Sequence, residues 1–168
     1  RQVAGGSGSV QGKVHIGMNH FNSTYPSVRI TAEEYDVADY RGNLAFSTRA
    51  ATSDAVPTEK MRITHDGLVG IGTTSPATTL HIANSSTAPI LRLSNDAHTI
   101  SAGADLGVIQ FYSGDNSGGG DAIKATISSI QPATSPVSGE LVFKTTLSTG
   151  SLTEAMRIDS SQNVGIGT

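Results

Sequence analysis

One stretch of the sequence decides the fold because it occurs twice, as MRITHDGLVGIGT at residues 61–73 and as MRIDSSQNVGIGT at residues 156–168. The second copy follows the first at a constant offset of 95 residues (156 − 61 = 168 − 73 = 95), so the two align without a gap. Short apolar runs on both sides of a polar turn are typical of β-strands. The chain is therefore expected to be built from repeated strand units.

Further matches extend this stretch into a longer repeat. Leu44–Phe46 matches Leu141–Phe143, the segment 23–31 matches 86–94 at an offset of 63, and Lys13–Gly17 resembles Leu80–Ile82. Matches that recur in this way indicate an internal repeat. The sequence predicts the following organisation: a flexible linker at 1–12, a first β repeat at 13–73, a joint at 74–79, and a second β repeat at 80–168 with an extra hairpin at 107–130.

The composition fits many short strands and argues against several functions. Gly, Ser and Thr make up roughly a third of the 168 residues, only 15% are charged, 5% are aromatic, and neither Cys nor Trp occurs. Such chains favour short strands joined by tight turns. A net charge of −3 offers no basic surface for nucleic acid. No apolar run reaches the roughly 18 residues of a membrane span, so we expect no membrane insertion.

The repeat also predicts assembly. A unit of this size with so few large apolar side chains buries too little surface to offset its conformational entropy alone. In the Val-Gly-Ile-Gly run, Val69 and Ile71 face one side, whereas Gly70 and Gly72 leave the other side open to close backbone approach, which favours pairing with identical chains. The alternative is that these glycines only relieve crowding in a tight turn. Asp66-Gly67 supplies a hairpin turn in the first copy, whereas Ser161-Gln162 stands there in the second. We therefore expect the two copies not to share their turn chemistry.

These motifs resemble a known family. Segments of the form MRID-S-S-x-NVGIGT-TSP-x-x-x-LHI, present here at 156–168 and 61–82, are similar to the shaft repeats of tail-fibre and receptor-binding proteins of tailed bacteriophages. The resemblance also covers 121–125 and 139–143. It implies an all-β, repetitive fibrous fold: an intertwined homotrimeric shaft resembling a β-prism or β-helix. It further implies an extracellular location on the virion tail and contact with other tail proteins. Gln162 departs from the family, which usually has Gly there.

Candidate ligand sites are few. His15 and His81 occupy matching positions in the repeats, but each has an Ile where a second metal ligand would stand, so we expect outward-facing polar residues rather than metal ligands. The four arginines of the repeats are expected to pair with carboxylates such as Glu59 and Glu154: Arg29, Arg62, Arg92 and Arg157.

Two clusters of acidic residues are further candidate sites. Asp115, Asn116, Ser117 and Asp121 gather oxygen ligands in a glycine-rich loop, but without the spacing of a known calcium loop we expect a solvated hairpin tip. Glu33, Glu34 and Asp36 form the densest carboxylate group, with no sign of the cleft that a glycosidase needs. The sequence thus predicts no catalytic, cofactor-binding or metal-binding residue, and no cofactor.

The function expected from the sequence is structural and adhesive, without catalysis. The chain would be part of a trimeric tail fibre that attaches a virion to a bacterial surface, with weak contact to host cell-surface glycan through loops such as 113–121. One alternative is a tailspike-type polysaccharide depolymerase, which the scarcity of aromatic residues disfavours. Another is a bacterial surface adhesin or a subunit of an extracellular filament, which the sequence does not separate from a viral fibre.

Overall fold

The structure is a computed structural model that describes residues 13–18, 23–34, 41–115, 117, 122–132 and 137–167. These residues form eleven β-strands and no helix, which confirms the predicted all-β class. The chain divides into two compact units, residues 1–90 and 91–168, and each unit contains one sheet. The predicted linker at 1–12 lies outside the described residues. None of the described segments forms a helix that could cross a membrane.

The first unit is a six-stranded sheet in which the strands lie in chain order. Its strands are β1 (Lys13–Met18), β2 (Val28–Glu34), β3 (Gly42–Thr48), β4 (Thr58–Ile63), β5 (Val69–Ile71) and β6 (Leu80–Ile82). The first five strands pair antiparallel, as expected for strands joined by short turns. β6 instead pairs parallel to β5, after residues 72–79 have carried the chain back along the sheet.

The second unit is a five-stranded antiparallel sheet, again in chain order. Its strands are β7 (Asp105–Ser113), β8 (Ala122–Ile130), β9 (Glu140–Thr146), β10 (Leu152–Ile158) and β11 (Val164–Ile166). β7 pairs antiparallel with β8 where the sequence predicts an extra hairpin at 107–130, but these two strands take the places of β1 and β2 in the first sheet, so they are not additional. Residues 151–156, for which the sequence left a short helix or a strand open, belong almost entirely to β10.

Each sheet is crossed by a row of apolar side chains, and the residue types follow the same order in both rows. Reading the registers from β1 to β5 and from β7 to β11, each row runs Ile, Ile, Phe, Met, Ile. The members are Ile16, Ile30, Phe46, Met61 and Ile71 in the first sheet and Ile109, Ile127, Phe143, Met156 and Ile166 in the second. Because neighbouring residues of a strand point to opposite faces, this row marks the apolar face of each sheet.

The better-covered face of each sheet is the opposite one. Along β3 the buried residues are Asn43, Ala45 and Ser47, which alternate with the more exposed residues of the apolar face. In the second sheet this face includes the buried residues Thr126, Ser128 and Val142. These side chains are small or polar, so the sheets do not cover their own large apolar side chains.

Sheet position corrects part of the repeat alignment. The offset of 63 predicted that 91–93 is the repeat equivalent of 28–30. However, β2 and β8 occupy equivalent places in the two sheets, so the equivalent of 28–30 lies in β8. Residues 83–104 form no strand, and Leu80–Ile82 completes the first sheet instead of opening the second. A segment becomes a strand of a sheet only where the edge of another strand is free to pair with it. β5 offers such an edge to 80–82, whereas 88–94 make no backbone hydrogen bond to a described strand.

The turns of the two repeats are the same, contrary to the expectation from their residues. Thr64 N–H donates to Leu68 O at 2.9 Å, and the equivalent Asp159 N–H donates to Asn163 O at 3.0 Å. Both turns need a left-handed residue, which is Gly67 (φ 80°) in the first and Gln162 (φ 68°) in the second. The backbone pattern is thus kept where the residue types change.

The glycines of the Val-Gly-Ile-Gly run do permit close backbone approach, and the approaching backbone belongs to the same chain. A Cβ on Gly70 would lie 2.6 Å from Thr73 O, and one on Gly72 would lie 2.1 Å from Ala83 O. Gly72 also has a φ of 75°. These positions let residues 72–83 fold back tightly and add β6 to the sheet.

Candidate functional site

The apolar face of each sheet is the first candidate site, because its large side chains are exposed at both ends of the row and only partly buried in the middle. In the first sheet Ile16 is 68% exposed and Met18 64%, and in the second Phe111 is 52% exposed and Ile166 72%. Contiguous exposed apolar side chains of this kind mark surfaces that contact other molecules. Both sheets therefore present a surface suited to a partner, built on the shared Ile-Ile-Phe-Met-Ile row.

An arginine on the opposite face of the first sheet holds two carboxylates. Arg62 on β4 makes a bidentate contact with Glu59 (Nε–Oε1 2.8 Å, Nη2–Oε2 2.9 Å) and a longer one with Glu33 on β2 (Nη2–Oε2 3.4 Å). The hydrogen bonds to Glu59 raise the pKa of Arg62. Planar two-point contacts of this type fix geometry as well as charge.

The second sheet repeats this cluster with one change. Arg157 on β10 contacts Glu154 in the same bidentate way (Nε–Oε1 2.8 Å, Nη2–Oε2 2.7 Å), and also contacts Glu140. The hydrogen bonds that Arg157 donates to Glu154 lower the pKa of Glu154 and raise the pKa of Arg157. The pairing predicted for Arg62 and Arg157 is confirmed, although the third carboxylate comes from β2 in one sheet and β9 in the other.

A β-bulge makes both clusters possible. In a regular strand, residues three apart point to opposite faces. The register shifts by one residue at Lys60 in β4 and at Ala155 in β10, which brings each Glu to the face of its Arg. The carbonyls of Lys60 and Ala155 accept from Gly72 N–H and Gly167 N–H at 2.9 and 3.0 Å. The sequence did carry a signal for the bulge: Glu and Arg recur three residues apart within predicted strands.

A depression lies beside the first cluster. It has a volume of about 160 Å³ and is lined by His15, Arg29 and Thr31 on β1 and β2, by Ala45 and Ser47 on β3, and by Glu33 and Glu59. His15 Nδ1 lies 2.9 Å from Thr31 Oγ1. The small side chains of β3 leave this space open. Sequence reasoning missed the depression because it depends on four strands being adjacent.

The two histidines are not equivalent. His15 lies on β1 and His81 on β6, at opposite edges of the same sheet and five strand spacings apart, roughly 24 Å. The second-sheet residue at the position of His15 is Val108. His81 Nδ1 accepts from Ala77 N–H at 3.3 Å. Among the described residues, no group of three or more His, Asp or Glu side chains is arranged to hold a metal ion.

The remaining acidic candidates are only partly described. Asp115 accepts from Ser117 N–H at 2.9 Å and Ser117 Oγ–H at 2.6 Å, and the contacts with Ser117 lower the pKa of Asp115. Asn116 and Asp121 lie outside the described residues, as does Asp36. Glu33 is engaged by Arg62, as described above.

Arg29 and Arg92 differ from the other two arginines. Neither is paired with a carboxylate in the part of the chain that the structure describes, so the pairing predicted for them is not seen there. The Arg29 Nε is buried and makes no hydrogen bond to the described residues. Arg92 lies in the exposed segment 91–94, outside any strand.

No model of a known protein family matches the chain, and no curated protein does. The fold is similar to solved structures of a phage protein, at a low level. The carboxy-terminal domain of the bacteriophage T5 L-shaped tail fibre with its intramolecular chaperone domain is 12% identical, with a TM-score of 0.43 over 99% of this chain. This chain spans 58% of the length of that one. A second structure of the carboxy-terminal domain of the same fibre is 11% identical, with a TM-score of 0.35 over 92% of this chain and 79% of that one.

Proposed function

We propose that the chain is a structural segment of a homotrimeric tail fibre on a bacteriophage virion, which helps to attach the virion to a bacterial surface. The observation that carries this proposal is the exposed apolar face with the same row in both sheets. Fully burying an Ile, Phe or Met side chain contributes about 1.5–3 kcal/mol, so covering half-exposed ones would contribute about 1 kcal/mol each. Each sheet thus has a strong tendency to associate.

The repetition favours another copy of the chain as the partner. A partner that covers the apolar face in both units must match an Ile-Ile-Phe-Met-Ile row in each of them. A second copy of this chain carries two such rows by construction, and homo-oligomers with closed symmetry are the commonest assemblies. The threefold symmetry and the virion location rest on the sequence resemblance to tail-fibre shaft repeats.

A structural role also fits the state of the carboxylates. A general acid requires a raised pKa, whereas hydrogen bonds from Arg157 lower the pKa of Glu154. Glu33, Glu59 and Glu140 are likewise held by arginine. Residues committed to ion pairs in this way stabilise a sheet and are poorly suited to cleaving polysaccharide.

The native mass in solution tests the proposal. Light scattering after size exclusion should give three times the mass of the 17.3 kDa chain. Ile166→Glu places a charge in the apolar row and should dissociate the trimer. Val137→Glu, at a residue that is 94% exposed and outside the strands, is the matched control and should leave the mass unchanged.

A monomeric wild-type chain would refute the assembly. A dimer would keep the role of the apolar faces but refute the trimer. Release of reducing sugar from capsule or lipopolysaccharide would refute the non-catalytic role.

A further inference from the structure

The segment 89–94 has the sequence of a strand but no strand partner. Its residues P-I-L-R-L-S match P-S-V-R-I-T at 26–31, most of which forms β2 between β1 and β3. In the described part of the chain, residues 89–94 make no backbone hydrogen bond, and Ile90, Leu91 and Leu93 are 82%, 63% and 45% exposed. A segment with unpaired backbone groups and exposed apolar side chains is a ready template for pairing with another strand.

The end of this segment is anchored to the second sheet. A Cβ on Gly107 of β7 would lie only 2.9 Å from the Leu93 Cβ and 3.1 Å from the Leu93 O, so the missing side chain makes room for Leu93. Asn95 Nδ2 donates to Asp105 O of β7 at 3.1 Å. Gly107 precedes Ile109 by two residues in a regular part of β7, so it lies on the apolar face. The segment is therefore held in a defined place on the second unit, although it belongs to no strand.

β6 has the complementary shortage. It pairs with β5 on one side, and no described strand pairs with its other side. Its residues L-H-I match V-H-I in β1, which is the antiparallel neighbour of β2. The sequence thus contains both members of the β1–β2 pair a second time, as 80–82 and 89–94, but these two are not joined within the described chain.

We propose that residues 91–94 of one copy pair antiparallel with β6 of a second copy, in the register in which β2 pairs with β1. In β1 and β2 the opposite residues are Ile16 and Ile30. The matching residues are Ile82 and Leu93, which are therefore opposite each other in the proposed pairing.

This register extends the apolar row of the first sheet. Ile82 is the register partner of Ile71, the last member of the row, so both lie on the same face. Leu93 opposite Ile82 continues the row with another apolar side chain. A shift by one residue would instead place Arg92 in the row, so the apolar pattern favours the proposed register. Leu93 then lies between the apolar row of the partner and the apolar face of its own second sheet.

The repetition favours a second copy as the donor of the strand. A foreign protein would need its own P-x-L-R-L segment, whereas every copy supplies both this segment and the edge of β6. Because each copy gives one strand and accepts one, the copies join head to tail, and such contacts close into a ring. The inference rests on the proposed function, since it specifies how the copies of a homotrimer are joined.

Engineered disulfides test the register directly, because the chain contains no cysteine. In the proposed pairing Ala83 is opposite Arg92, at a Cα separation of roughly 4.5–5.5 Å that a disulfide can span. Ala83→Cys and Arg92→Cys chains that carry different tags are co-expressed and oxidised. We expect a disulfide that joins one chain of each kind, and none when either variant is expressed alone. Leu91→Cys replaces Arg92→Cys in the matched control and should give no such disulfide, because neighbouring residues of a strand point to opposite faces.

Hydrogen exchange on the wild-type chain provides a second measurement that needs no substitution. The amides of 91–94 should be protected in the assembly, since pairing with β6 gives them acceptors.

Four results would overturn the proposal. They are the absence of the mixed disulfide, an equal yield with Leu91→Cys, a double variant that closes only within one chain, and exchange at 91–94 as fast as in an exposed loop. Light scattering on the wild-type chain separates these failures from a failure of the proposed function. A trimer without the mixed disulfide refutes the strand exchange alone, whereas a monomer refutes the assembly as well.

Discussion

The two sheets share the row on their apolar faces and differ on their polar faces. Both carry Ile-Ile-Phe-Met-Ile, a bulge at the same place, and a bidentate Glu–Arg contact across that bulge. On the other rows the first sheet has Arg29, Ala45 and Ser47, whereas the second has Thr126, Val142 and Lys144. The first sheet has a depression lined by Arg29, Ala45 and Ser47, whereas Val142 in the second sheet is completely buried.

This difference separates two requirements on the repeat. The apolar row, the bulge and the turn recur together, as expected if each is needed for strand register and for association. The polar face tolerates a change from arginine to threonine and from alanine to valine without altering the strand order. A repeat of this kind can therefore vary on one face while the row on the other face is kept.

The largest effect is expected from the glycines that end the repeats. Gly72→Ala should destabilise the first unit by about 3 kcal/mol, because it combines left-handed strain with a Cβ too close to Ala83 O. The matched variant Gly167→Ala (φ 65°) meets nothing within 4 Å and should cost about 1 kcal/mol. Hydrogen exchange on peptides from each unit measures both changes. Equal effects would mean that the return to β6 does not constrain Gly72.

An intermediate effect is expected from exchanging the turn residues. Gln162→Gly should stabilise the second unit by about 1 kcal/mol, because glycine adopts the left-handed conformation at this position without the strain that Gln162 has. Gly67→Gln should destabilise the first unit by a similar amount, since it introduces the same strain. Chemical denaturation followed by circular dichroism gives both values. A destabilising Gln162→Gly would show that the Gln162 side chain has a role of its own.

The smallest effect on stability is expected from lowering the pH. Because the pKa of Glu154 is lowered in the folded chain, its contribution is present above its unfolded pKa and is lost as the pH falls through its folded pKa. Asp159 acts in the same direction, mainly through Asn163. Stability of the second unit should thus decline as the pH falls below about 5. Glu154→Gln should lose about 0.5–1 kcal/mol at neutral pH and show a shallower decline. An unchanged pH profile in this variant would refute the role assigned to Glu154.

Much of the fold was predictable from local patterns. The strands of 61–73 and 156–168 and the hairpin at 107–130 follow from alternation and turn residues. The place of 80–82 did not, because a parallel partner is chosen by which edge is free and not by the segment's own residues. The shared turn was hidden because Gln162 adopts a conformation that its residue type disfavours.

The candidate site was harder to predict from the sequence than the fold. The contacts of Arg62 and Arg157 were foreseen from charge alone, but their geometry depends on bulges that shift the register by one residue. The depression around Arg29 requires β1, β2, β3 and β4 to lie side by side. No local pattern marks Ala45 and Ser47 as the residues whose small size leaves it open.

The bulge at Lys60 and Ala155 has a consequence for how such chains change over time. The bulge, the turn and the strand after the turn (β5 or β11) have the same length in both repeats. The segments 58–71 and 153–166 are therefore interchangeable cassettes. Exchanging 58–71 for 153–166 preserves every register position, whereas deleting only Lys60 would remove the bulge and leave Glu59 and Arg62 two residues apart on the same face of a regular strand. Recombination between repeats is therefore tolerated in whole cassettes, which keep the bulge and the turn together.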